Sequence, residues 1–147
     1  METNRKRLAE AALAILEAST LRVTGQRKAL IRLLAGADKP LSCEELQARS
    51  DGAFDLVTVY RNMEVFRERD IVQCILLENG KQLFELAVAD DHHHHIVCRN
   101  CHRTLRLELC FGGELERYAA KQGFEQLSHK IEVFGVCGEC AADGGER

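Results

Sequence analysis

Two Cys-x-x-Cys pairs, Cys98/Cys101 and Cys137/Cys140, restrict this chain more than any other feature. Each tight turn brings two sulfurs within bonding reach of one ion, and two such turns complete a tetrahedron. An all-thiolate site of this kind suits zinc and leaves no open position for catalysis. The stretch from Cys101 to Cys137 is longer than the usual zinc-ribbon spacing, so the ion would staple the start of a folding unit to its end. A redox role for either pair would call for a thioredoxin-like pattern, which the sequence lacks. The total of seven cysteines is odd, which argues against a closed disulfide framework, and Cys43, Cys74 and Cys110 are scattered.

The N-terminus does not read as an export signal. Arg5, Lys6 and Arg7 precede an apolar stretch, but Glu10 and Glu17 interrupt it. Leu8, Ala12, Ile15 and Leu16 recur at helical spacing, which predicts an amphipathic helix. No apolar run approaches the length of a bilayer span, so no membrane role and a cytoplasmic location are expected. In that reducing compartment clustered cysteines more often bind metal.

All six histidines lie in the second half: His92, His93, His94, His95, His102 and His129. The run of four is internal and leads straight into a strand and a cysteine pair, unlike a purification tag. Along a strand alternate side chains point oppositely. His93 and His95 would face one way and His92 and His94 the other, so that two separate metal sites flank one segment.

The first half carries the helical signals. Thr24 is placed to cap TGQRKALIRLLA, and Ser42 with Glu45 forms a capping box for LSCEELQARS. Asp55 can cap DLVTVYRNMEVFRER, whose Val59, Met63 and Phe66 fall on one inward face, leaving Thr58, Arg61 and Arg69 as outward candidates. IVQCILL and QLFELAV then flank Asn79-Gly80, which predicts a hairpin with a type I′ turn. Three helices followed by a hairpin match the winged helix-turn-helix plan, whose third helix enters the major groove of DNA; other small α+β domains share the order. Basic residues (Arg5, Lys6, Arg7, Arg22, Arg27, Lys28, Arg32) outnumber acidic ones before residue 33, in a chain of net charge −3. That asymmetry points to a local polyanion contact, though a solvated helix face would look the same.

Residues 87–91 read as a hinge between a DNA-binding unit, 1–86, and a metal-binding α/β unit, 92–140. In the second unit TLRLEL and KIEVFGV read as strands, ELERYAAKQ as a helix stopped by Gly123, and 141–147 as a mobile tail. No H-E-x-x-H, nucleophile elbow or phosphate loop appears, so an enzyme is not expected. A metal-dependent enzyme using the histidine cluster and a metal chaperone remain the rival classes.

TGQR at Thr24–Arg27, LVTVYRNMEVF, FEL, HHHHIVCRNC, Gly123-Phe124 and KIEVFGVCGEC occur in an order and spacing that resemble the ferric uptake regulator family over about residues 8–140. The resemblance implies an α+β fold: an N-terminal winged helix-turn-helix domain and a C-terminal α/β dimerisation domain. It also implies a cytoplasmic homodimer that represses transcription by binding double-stranded DNA at A/T-rich inverted repeats when loaded with metal. It assigns DNA contact to Tyr60 and Arg61, with Thr58 adjacent and Arg22 reaching the minor groove. Cys98, Cys101, Cys137 and Cys140 would hold structural zinc. Glu85, His93 and His95 would form the regulatory site. His92, His94 and His129 would form a further site in the dimerisation domain.

Several positions depart from that pattern. Lys39-Pro40-Leu41 stands where many members have a regulatory histidine, and Cys74 on the wing is the first candidate to complete the site. The usual inner-site glutamate aligns near Gly112, so Glu108 or Glu114 would have to serve. His102 replaces a usual glycine. Within the family, the four-histidine run and SHKIEVFG look most like zinc uptake regulators. Arg106, where peroxide sensors carry an aspartate, argues against that class. The regulatory ion is expected to be Zn2+, with Fe2+ or Mn2+ as the alternative.

Overall fold

The computed structural model describes residues 2–87, 94–107 and 109–144. His92, His93, Glu108 and most of the expected hinge lie outside the described residues. The chain divides into two compact units, Met1–Asp90 and Asp91–Arg147. Among the described residues no helix is long and apolar enough to cross a membrane.

The first unit opens with α1 (Glu2–Ala18), followed by α2 (Gly25–Gly36), α3 (Cys43–Arg49) and α4 (Leu56–Glu68). Each of the last three begins where the sequence places a capping side chain. Thr24 accepts the Arg27 N–H at 3.2 Å and Asp55 accepts that of Thr58 at 2.6 Å. Ser42 accepts the Glu45 N–H at 3.2 Å while the Glu45 carboxylate accepts the Ser42 N–H at 2.8 Å, which completes the reciprocal box. α4 stops in a Schellman turn: the Ile71 N–H reaches the Phe66 carbonyl, the Asp70 N–H reaches that of Arg67, and Asp70 takes φ +54. Buried Ala12 and Leu16 of α1 meet Leu30 and Ile31 of α2, Leu46 of α3 and Val59, Met63 and Phe66 of α4 in one core.

β1 (Val72–Leu76) and β2 (Gln82–Leu86) pair antiparallel, and Leu41 adds a single antiparallel bridge to Phe84. The hairpin turn differs from the type I′ expectation. The Gly80 N–H donates to the Leu77 carbonyl, the Leu77 N–H to that of Lys81, and Gly80 takes φ +82 while Asn79 does not turn positive. This is a three-residue loop with glycine as the bulge residue, and the Asn79 carboxamide oxygen accepts the Lys81 N–H. The extra residue Glu78 releases Asn79 from the left-handed conformation that a two-residue turn would impose.

In the second unit β3 (His94–Cys98) runs between antiparallel β4 (Thr104–Leu107) and parallel β5 (Glu132–Gly135). α5 (Gly112–Lys121) lies in the connection from β4 to β5 and ends in a second Schellman turn at Gly123, φ +82, the expected stop. α6 (Gly138–Ala142) carries the chain past the last cysteine, so the expected tail is helical at residues 141–142. The Ala141 N–H donates to the Cys137 carbonyl, which closes the turn.

Candidate DNA-facing helix and metal centres

α4 turns Val59, Met63 and Phe66 into the core, which leaves Val57, Tyr60 and Arg61 exposed along its opposite face and Thr58 half-buried between. That is the face assigned to DNA from the sequence. Arg22 is also exposed, on the segment before α2. Arg27, Asn62 and Glu44, none of them assigned a positioning role from the sequence, hold this surface in place. The Arg27 Nε donates to Asn62 Oδ1 at 3.1 Å and its Nη1 to the Arg22 carbonyl at 2.7 Å, so one guanidinium ties α4 to the segment bearing Arg22. Asn62 in turn donates to the Thr58 carbonyl. The Tyr60 hydroxyl donates to Glu44 Oε1 at 2.8 Å. That bond pushes the tyrosine pKa up. The α3 backbone N–H of Glu44 and then the tyrosine hydroxyl hold the Glu44 carboxyl below its ordinary range.

In the second unit the four cysteines of the two pairs converge, with one sulfur from each lying within 4.8 Å of the others. Cys98 ends β3, Cys101 follows in a tight turn, Cys137 immediately precedes α6 and Cys140 sits within it. The Cys101 and Cys137 sulfurs are 3.7 Å apart. Tetrahedral zinc with Zn–S bonds of about 2.3 Å needs sulfur separations of roughly 3.8 Å, so these residues fit the ion. The Cys137 N–H donates to Cys98 Sγ at 3.3 Å. Backbone N–H bonds from Cys101 and Cys137 draw the Cys98 thiol down to about 6, whereas donation of the Cys140 S–H to the Cys137 and Cys101 sulfurs pushes Cys140 up to about 12. Cysteines ligate as thiolates, so loading the site must release protons. His102, where a glycine was expected, takes φ +60, the left-handed conformation the first turn demands.

The same strand builds a second donor set. His94 and His95 are both buried, at 2% and 4% exposure, and as neighbours on β3 they point to opposite faces. His94, His129 and Cys110 each place a ligand atom within 4.8 Å of the others. The Cys110 sulfur is 3.1 Å from His129 Nε2, and the two imidazole centroids are 5.2 Å apart. The sequence assigned His94 and His129 to one site but left Cys110 among scattered cysteines and looked to Glu108 or Glu114. Among the described residues the third donor is Cys110. Glu114 lies in the first turn of α5, where its N–H bonds the Phe111 carbonyl, and is not in the cluster. The available signal was Gly112: a Cβ there would fall 2.6 Å from His129 Cε1 and 3.1 Å from the Cys110 sulfur.

The regulatory set is only partly described. Glu85 lies on β2 opposite Gln73, whose amide donates to its carboxylate. Cys74 lies opposite Phe84, one residue along the ladder, and so occupies the other face. It packs half-buried on the winged-helix core, beside Cys43, whose thiol is pushed up to about 12 chiefly by burial. Cys74 and Glu85 therefore do not share a ligand set, contrary to expectation. Glu85 and His95 belong to separate units.

The ferric uptake regulator family model matches residues 18–134. The peroxide operon regulator of Bacillus subtilis is 30% identical over 134 residues, spanning 88% of this chain and 91% of that protein. The ferric uptake regulation protein of Campylobacter jejuni is 31% identical over 132 residues, 86% of this chain and 83% of that one. The ferric uptake regulator structure from Vibrio cholerae superposes with a TM-score of 0.74 at 28% identity, covering 83% of this chain and 96% of that one. That from Helicobacter pylori, at 20% identity, shares the fold with a TM-score of 0.78 over 93% of both chains. With its winged helix, its four converging cysteines and a match that spans most of its length, the chain belongs to the ferric uptake regulator family, whose members are transcription regulators rather than enzymes.

Proposed function

We propose that this chain is a zinc-responsive repressor that binds an A/T-rich inverted repeat in double-stranded DNA as a cytoplasmic homodimer. The observation that carries the zinc reading is the donor chemistry: thiolates and imidazoles dominate both clusters in the second unit. Such donors suit zinc, whereas manganous ion prefers carboxylate and water. The names of the relatives point elsewhere, to iron and peroxide, and the carboxylate of Glu85 favours a harder ion; an iron- or manganese-responsive regulator is the second reading.

Dimerisation is supported by the second unit's surface. Leu105, Leu109, Phe111, Leu115, Tyr118 and Phe124 are all exposed, which supplies apolar side chains for an interface. DNA binding rests on Tyr60, Arg61 and Thr58 on the outward face of α4, with Arg22 alongside. Cys98, Cys101, Cys137 and Cys140 would hold structural zinc. Glu85, His93 and His95, drawn from both sides of residues 87–91, would hold the regulatory ion. When bound there, that ion supplies bonds joining the two units, and it shifts their arrangement only by its differential affinity for the DNA-competent one.

The test is a DNA-binding titration of the zinc-reconstituted protein with added zinc, manganese or ferrous iron, anaerobically and at one salt concentration. Zinc should raise operator affinity at the lowest free concentration. A response to ferrous iron alone would overturn the zinc reading.

A further inference from the structure

We propose that Cys110 supplies a thiolate to a second metal centre with His94 and His129, distinct from the four-cysteine site, which makes that centre selective for zinc-like ions over manganous ion. The proposal deepens the reading of the chain as a metal-responsive regulator and rests on it. His94 anchors the centre from the buried start of β3, His129 lies on the segment leading into β5, and Cys110 on the loop entering α5. Three separate stretches of chain thus bring soft or borderline donors together, a juxtaposition that packing alone does not require.

Gly112 shows how closely the loop is drawn in. Its N–H donates to the Cys110 sulfur at 3.2 Å, orienting the lone pairs, and it is buried against the His129 ring. Any side chain at 112 would have to displace the imidazole or the sulfur. The Ile131 N–H donates to His94 Nδ1 at 3.3 Å. Ligation through either ring nitrogen must alter this bond: through Nδ1 it takes the accepting lone pair, and through Nε2 it moves the ring proton to Nδ1. On loading, the Cys110 S–H bond breaks, a sulfur–metal bond forms, and the proton passes to solvent. A thiolate with imidazoles favours zinc over manganese, whereas a carboxylate in the same place would favour the harder ion.

The experiment uses full-length protein with zinc already held by the four cysteines, titrated with cobalt(II) as the optical probe while retained zinc is measured by metal analysis. The wild type should develop a thiolate-to-cobalt charge-transfer band without losing zinc, and the Ile131 amide resonance should move in step. Cys110→Ser should abolish the band and weaken zinc binding at this centre by at least the ~10–100-fold seen when supporting shells of metal sites are removed. Gly112→Ala should weaken it as well, with every ligand still present. Cobalt bound without the band, a band that persists in Cys110→Ser, or equal competition by manganese would each overturn the assignment. The metal dependence of DNA affinity, measured separately, decides the regulator reading: its loss with the band intact sinks that reading and leaves the Cys110 ligation standing.

Discussion

Replacing Cys137 by serine should unfold the second unit while leaving the first intact, and the structure indicates why. Among the described residues of the second unit the buried hydrophobic side chains are Val97 and Cys98. Burial is worth about 1.5–3 kcal/mol per large side chain, so two such residues cannot offset the ordering of three strands and two helices. Structural zinc in small thiolate-rich modules contributes about 10–16 kcal/mol at neutral pH, much more than this core can supply. Cys137 is central to that contribution: its sulfur faces that of Cys101, its N–H steadies Cys98, and it stands at the start of α6. The first unit instead has a continuous core from Ala12 to Leu86 that owes nothing to the metal. Hydrogen exchange read by mass spectrometry, at protein concentrations low enough to suppress association, separates the two. Peptides spanning β3, β4 and β5 should lose protection in Cys137→Ser, while those from α2, α4 and the β1–β2 hairpin exchange as in the wild type. If zinc-free Cys137→Ser keeps its β3 amides protected, contacts other than the metal stabilise this unit and the reasoning fails.

Three further outcomes follow from the same geometry. Ser42→Ala removes the buried acceptor of the Glu45 N–H and should cost the first unit about 1–2 kcal/mol, a drop in Tm of roughly 4–8 °C per kcal/mol for a domain this size; an unchanged melting temperature would refute the capping account. Arg61→Ala should weaken operator binding by about 1–3 kcal/mol if Arg61 reads a base edge, with zinc content unaltered, and titration against cognate and scrambled duplexes distinguishes this from a uniform phosphate effect. His102→Gly relieves the left-handed strain beside the first cysteine pair, about 1–2 kcal/mol less the entropy glycine loses on folding. Thermal melts of the zinc-loaded protein should therefore show no destabilisation, and a clear loss would mean that the His102 side chain stabilises the turn.

What was legible in the sequence divides along physical lines. Helix starts were readable because Thr24, Ser42 and Asp55 cap through bonds spanning three residues, a range that spacing specifies. The four-cysteine site was readable because each pair is itself a local turn, and only the meeting of the two pairs had to be supplied by the fold. The hairpin turn was misread by one residue, since Asn79-Gly80 satisfies two loop lengths and the strand register decides between them. The same register separates Cys74 from Glu85: a ligand inferred from its place on the wing fails once side chains alternate across a ladder.

The interactions that escaped sequence reading are those whose partners lie far apart and carry no repeat. The Arg27–Asn62 and Tyr60–Glu44 bonds span helices, and nothing in either helix alone marks its partner. Cys110 falls in the same class, because its loop meets His94 and His129 only after β3 and β5 pair and α5 fills the crossover. Gly112 is the local trace of that meeting, and its meaning depends on knowing which ring presses against it. A family pattern that seeks a carboxylate there finds a glycine and records a gap. In three dimensions the glycine makes room for the imidazole, and the donor stands two residues earlier as a thiol.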